Sequence, residues 1–196
     1  MEQITFMKTI IAKDSYKEKY DIGNIKVCHL EAVLDEGKGI YECYECALPT
    51  NQYNEEKVQN AFAEFKNELK ASELAIAKAQ KITEIESYDK SPFVNGFVLN
   101  EQKVWLDFEL RDRVYQGNER LQRIGRTDTT LWLDNQCYNL SIEQAQNIIS
   151  HIEAYAKDCY NVTAAHKAAV EKLQTVEEVE AYDYTQGYPE QLEMEV

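Results

Sequence analysis

The order of elements predicts an α+β fold, and three observations predict it. The first 50 residues hold β-prone runs separated by turn signals. A helical pattern of about 30 residues follows, with no Pro or Gly until Pro92. Beyond it lie two hairpin signals and one long helix with a broad apolar stripe. The expected organisation is a small N-terminal β unit (1–50), a helical spacer with coiled-coil spacing (51–92), and a C-terminal domain (93–196). That domain should pack two β-hairpins on a long helix and end in an acidic tail.

The N-terminal runs are Ile4–Ile11, Ile25–Leu34 and Gly39–Leu48. Asp35-Glu36-Gly37-Lys38-Gly39 between the last two is a hairpin turn signal. Three such strands make a small sheet that needs a partner surface to be stable. The helix opens at Asn54-Glu55-Glu56, a polar cap with acids in the first turn. Its apolar and small positions, Val58, Phe62, Phe65, Leu69, Ser72, Ile76, Ala79 and Thr83, alternate steps of four and three as a heptad seam does. A rod of that length spans roughly 45 Å, and a 50-residue sheet covers little of it. Val58, Phe62, Phe65, Leu69 and Ile76 are therefore expected to zip to a second copy or to lie along a partner chain. The alternative is an ordinary surface helix on its own domain.

In the C-terminal half, Phe97-Val98-Leu99 and Lys103–Leu106 flank a polar turn, and a helix is expected over 108–124. Leu110, Val114, Leu121 and Ile124 share one side of it, and Gly125 serves as its C-cap. Every basic residue between Asp107 and Arg126 is Arg, a type suited to fixed planar pairing with carboxylates. The segment from Gln174 onward carries seven acids and no Lys or Arg. Docking of this tail on Arg113, Arg120 and Arg123 is one expectation, and a solvated helix face is the other. A second hairpin is expected around Asp134-Asn135-Gln136. Ser141, with Gln144 behind it, opens the long helix, whose stripe runs from Ile142 to Leu173. Thr175 and Glu178 repeat the capping pattern for a short turn.

Composition narrows the function classes. Hydrophobic residues make up 44% of 196, enough for a packed core, and the net charge of −14 argues against a nucleic-acid or anionic-membrane surface. No run of about 18 apolar residues is present, and Met1–Phe6 lacks the basic-then-apolar pattern of a signal peptide. The five cysteines do not read as a disulfide framework. Cys43-x-x-Cys46 lacks a second ligand pair, and in a strand its thiols point to opposite faces. His151 and His166 share a helix but stand roughly 22 Å apart, and His166 falls on the apolar stripe as a hydrogen-bonded core residue would. No phosphate loop, nucleophile elbow or carboxylate pair stands out. No cofactor, metal or catalytic residue is expected, and the chain reads as a protein-binding part.

Four groups of residues in the C-terminal half carry a resemblance. They are Trp105-Leu106-Asp107 with Arg111, and Leu131-Trp132-Leu133-Asp134-Asn135. Next comes Ile152-Glu153-Ala154-Tyr155-Ala156, leading to Cys159-Tyr160, Val162-Thr163 and His166-Lys167. The last is Val179–Thr185 with Gly187-Tyr188-Pro189. Over about residues 95–192 the chain resembles a phage and prophage domain family of unknown function whose genes usually neighbour tail and tail-fibre genes. The resemblance implies a structural or adaptor component of a virion, assembled in the bacterial cytoplasm, with other phage structural proteins and further copies of itself as partners. The alternatives are an assembly chaperone for a tail fibre and an enzyme acting on cell-surface glycans.

Overall fold

The computed structural model describes residues 3–133 and 135–195 and has the predicted α+β architecture. The chain divides into two units, Met1–Glu73 and Leu74–Val196. The boundary falls inside one helix, so the expected spacer over 51–92 is shared between the units and does not form a third.

The first unit is a four-stranded antiparallel sheet, one strand more than expected. Strands β1 (Met7–Ala12), β2 (Lys19–Ile22), β3 (Ile25–Asp35) and β4 (Ile40–Pro49) lie in the order β1-β4-β3-β2. β2, Lys-Tyr-Asp-Ile, is too short for its alternation to stand out in sequence. The β3–β4 turn closes as its residues require. Gly39 adopts φ +65°, and its N–H donates to the Asp35 carbonyl at 2.8 Å. A bulge interrupts the ladder between Leu30 and Val33, with Glu31 at φ +49°.

One face of this sheet is covered by the first turns of α1 (Glu55–Asp89). Val58 and Phe62 are buried there with Phe6, Cys28, Leu30 and Cys46, and Phe65 packs against them. The rings interlock, with Phe6–Phe62 centroids 5.2 Å apart and Tyr44–Phe65 5.5 Å. This corrects the seam reading: Val58, Phe62 and Phe65 are core of their own unit, not a surface for a second copy. Leu69 is half-buried, and Ile76 is 56% exposed. The helix changes its buried face after Leu69, so the heptad frame stops there. On the other face of the sheet Tyr16 stacks on Tyr41 at 4.0 Å, and buried His29 sits with its ring nitrogens against the Lys17 carbonyl and the Glu45 carboxylate.

The second unit contains the end of α1, then β5 (Phe97–Leu99), β6 (Gln102–Val104), α2 (Phe108–Arg123), β7 (Asp128–Leu133), β8 (Gln136–Ser141), α3 (Ile142–Lys172), α4 (Val176–Glu180) and β9 (Glu193–Met194). Both expected hairpins form, β5–β6 and β7–β8. Asp134, placed by the sequence in the second turn, lies outside the described residues. The first hairpin turns through Asn100 and Glu101, both with positive φ, which is the primed geometry that matches strand twist. β9 adds to β5 in parallel. The main core joins Phe97, Leu99, Val104 and Leu106 to Leu131, Leu133, Tyr138 and Leu140, all against Ala145, Ile148, Ile149 and Ile152 of α3. A second cluster sets Ile85 against Val170 and Val179, with Leu74, Ala77 and Ile82 beside them. Ser141 and Thr175 both complete capping boxes, as their sequence pattern requires. Ile124 departs from the expected apolar side of α2, standing 76% exposed just past the helix end. Among the described residues no helix is long and apolar enough to cross a membrane.

Candidate functional site

The candidate site is a groove of about 420 Å³ between α2 and α3, lined by Phe108, Arg111, Asp112, Tyr115, Ile149, Ser150 and Glu153. Local sequence places each wall. Asp107 caps α2 by accepting from the Leu110 N–H at 2.8 Å, which fixes where the helix starts. Phe108, Arg111 and Tyr115 then follow at helical spacing, so they share a face. Ile149 and Glu153 stand one turn apart on α3.

Arg111 is the fixed point. It is 6% exposed. Its Nε donates to Glu153 Oε2 at 2.7 Å, and its Nη1 donates to the Leu106 carbonyl at 2.5 Å. The guanidinium lies 5.5 Å from the Trp105 ring centroid and 6.0 Å from that of Phe108. Directed at once to a carboxylate and a carbonyl, the planar fork has one orientation only. Around it the walls are open: Phe108 is 64% exposed and Tyr115 38%. The rim is acidic, with Asp112 accepting from Gln116 Nε2 at 2.8 Å and Glu153 still about half exposed. The arrangement suits recognition: rigid aromatic area, one immobilised cation and a negatively charged rim.

Among the described residues no ion pair joins Arg113, Arg120 or Arg123 to the acidic tail. Arg120 reaches Gln116 one turn back at 3.5 Å, and Arg123 pairs with Glu119 at 3.8 Å. The tail is held by aromatic and backbone contacts instead. Val179 is buried beside Val170, and Lys81 lies over the Tyr184 ring. His166 Nε2 donates to the Gln186 carbonyl at 2.8 Å, leaving Nδ1 to accept from the Tyr182 hydroxyl at 2.8 Å. The Tyr188 hydroxyl is 2.9 Å from Thr163 Oγ1, which donates to Asp89 at 2.6 Å. Charge is the wrong guide here because most of the tail's acids point to water, while its tyrosines carry the contact.

The thiols are structural. Cys28 and Cys46 face each other across β3 and β4 in the core under α1, whereas Cys43 sits opposite Thr9 on the other face. The Cys43-x-x-Cys46 spacing thus splits across the sheet. Burial pushes all four buried thiols up, Cys46 to about 12, which keeps them protonated and unreactive. Burial likewise raises Tyr155, whose hydroxyl donates to the Val94 carbonyl at 3.0 Å. Among the described residues no three His, Cys, Asp or Glu side chains gather as metal ligands would.

Sequence reasoning did not pick out Phe108, Tyr115, Ile149 or Glu153 as a site. The spacing of Phe108, Arg111 and Tyr115 was visible, but pairing it with α3 needs the tertiary fold. No curated protein and no solved structure matches this chain. A family model does match, over residues 76–186, beginning within α1 and including Trp105, Arg111 and Glu153. The chain therefore belongs to the DUF4376 family, a domain of unknown function.

Proposed function

We propose that this chain is a structural or adaptor component of a bacteriophage virion, tail- or fibre-associated, that acts by binding other virion proteins. The observation that carries the binding part is the α2–α3 groove, where two exposed aromatic side chains flank an arginine already locked in place. Exposed Phe and Tyr beside a fixed Arg have the composition of an interface hot spot. Because Arg111 is immobilised before any partner arrives, little side-chain freedom is lost on binding. The acidic rim and the net charge of −14 favour a partner that presents an apolar anchor ringed by Lys or Arg. The virion part is supported by the sequence resemblance, of whose residues Arg111 and Glu153 line this groove and Trp105 lies against the Arg111 guanidinium.

The test is the composition of gradient-purified particles from a phage that encodes the chain. Stoichiometric presence, lost when Phe108 and Tyr115 are both changed to Ala while circular dichroism stays wild-type, supports the proposal. Absence from particles, with fibres that fail to assemble without the chain, makes it a chaperone. Normal incorporation of the double variant removes the groove as the contact.

A further inference from the structure

The two edges of the N-terminal sheet differ in a way that points to a partner. β2 has four residues, and charge protects it: Lys19 bonds to Glu55 at 2.6 Å, and Asp21 pairs with Lys26 at 3.0 Å. Short, charged edges resist pairing with another strand. β1 has six residues, Met-Lys-Thr-Ile-Ile-Ala, with no Pro and no bulge in its register with β4. Met7 and Ile10 are 61% and 62% exposed. Its one charge, Lys8, is matched within the chain by Glu42 at 3.3 Å.

The apolar exposure continues inward. Ile10 and Val33 are both in register with Glu42, so they flank it on one sheet face, and Val33 is 67% exposed. This is the face that α1 covers at Tyr44 and Cys46, through Val58 and Phe62, and leaves open at Ile10 and Val33.

We infer that β1 pairs antiparallel with β1 of a second copy across a two-fold axis at Ile10, making one eight-stranded sheet. In that register Ile10 meets the partner's Ile10, Thr9 meets the partner's Ile11, and Lys8 meets the partner's Ala12. Residue parity is kept, so the open Ile10–Val33 strips of both copies join on one face, as an isologous contact requires. The two Lys8 side chains are offset by about 13 Å along the strands, beyond the reach of strong repulsion at physiological salt. The local neutrality of β1 lets two chains of net charge −14 approach here. A second copy fits better than a foreign strand because the apolar strip is complementary to itself. The inference stands apart from the virion proposal, since solution mass does not depend on what particles contain.

The experiment is sedimentation equilibrium of the full chain from low to high micromolar concentration. The wild type should reach twice the chain mass. Ile10→Lys should weaken the dimer by about tenfold or more, because it sets two cations side by side. Ile22→Lys, on the equally exposed opposite edge, should leave the dimer unchanged. Circular dichroism checks that both variants fold. A wild type that stays monomeric, or a dimer that survives Ile10→Lys, overturns the inference.

Discussion

Replacing Arg111 with Ala tests whether the groove is built on a fixed cation. The bond from Nη1 to the Leu106 carbonyl is buried and charge-assisted, and such a bond contributes about 1.5–3 kcal/mol. The pair with Glu153 is discounted because that side chain is 47% exposed, which leaves about 0.5 kcal/mol. The stack on Trp105 adds about 0.5–1 kcal/mol. The loss is therefore about 2.5–4.5 kcal/mol, or roughly 10 °C in melting temperature for a chain of this size. Arg111→Lys keeps the charge but cannot span the carbonyl and the carboxylate with one planar group, so it should lose about 2 kcal/mol. Tryptophan fluorescence is the assay, because the chain's two Trp, Trp105 and Trp132, both lie in the C-terminal unit and Trp105 touches the guanidinium. An Arg111→Ala variant melting within about 2 °C of wild type would refute the reasoning, since a buried, doubly bonded arginine cannot be removed so cheaply.

Three further outcomes follow from the same structure. Phe65→Asp puts a carboxylate among Phe6, Tyr44 and Phe62 and should cost the first unit about 3 kcal/mol or more. Lost hydrogen-exchange protection over residues 3–73 is the expected readout, and intact protection with a changed oligomer mass would restore the interface reading of that seam. Glu101→Gly relieves a non-glycine residue at φ +65° and should raise the urea midpoint by an amount equivalent to about 1 kcal/mol; no gain would mean that Glu101 makes compensating contacts. The third concerns acid: Lys167 lowers Glu86, the N–H groups of Gln174 and Thr175 lower Glu178, and Thr185 lowers Asp183, from ordinary values of 4.5, 4.5 and 3.8. Depressed carboxylates contribute stability that is complete above their unfolded values and lost as pH falls through the lower folded ones. Urea midpoints should therefore drop between about pH 6 and pH 3, and a flat profile over that range would refute the assignment.

Sequence legibility followed how local each signal is. The Asp35–Gly39 turn, the Ser141 and Thr175 capping boxes and the stripe of α3 were readable because their determinants lie within a few residues. β2 was not, because four residues are too few for its alternation to stand out from the surrounding polar sequence. The α1 stripe was visible, but spacing does not say what covers it. Phe6 and Tyr44 of the same unit cover its start, and the buried positions then change to Leu74, Ala77 and Ile82. In the tail the charges are what the sequence makes conspicuous, while Tyr182, Tyr184 and Tyr188 make the contacts. Of the groove, only Arg111 and Glu153 were prefigured, as parts of the resemblance.

The pairing of β9 with β5 also bears on how the chain is made. Gln191 Nε2 donates to the Gly96 carbonyl 95 residues earlier, beside the ladder that joins Val98 to Glu193 and Leu99 to Met194. At ordinary synthesis speeds that separation is roughly 5–20 s of translation. Until residues 191–194 emerge, β5 presents an unpaired edge next to Phe97 and Leu99, two of the most deeply buried side chains of the finished domain. The C-terminal unit therefore completes its fold only after nearly all of it has been synthesised. Nascent chains stay open to wrong strand pairing for those seconds.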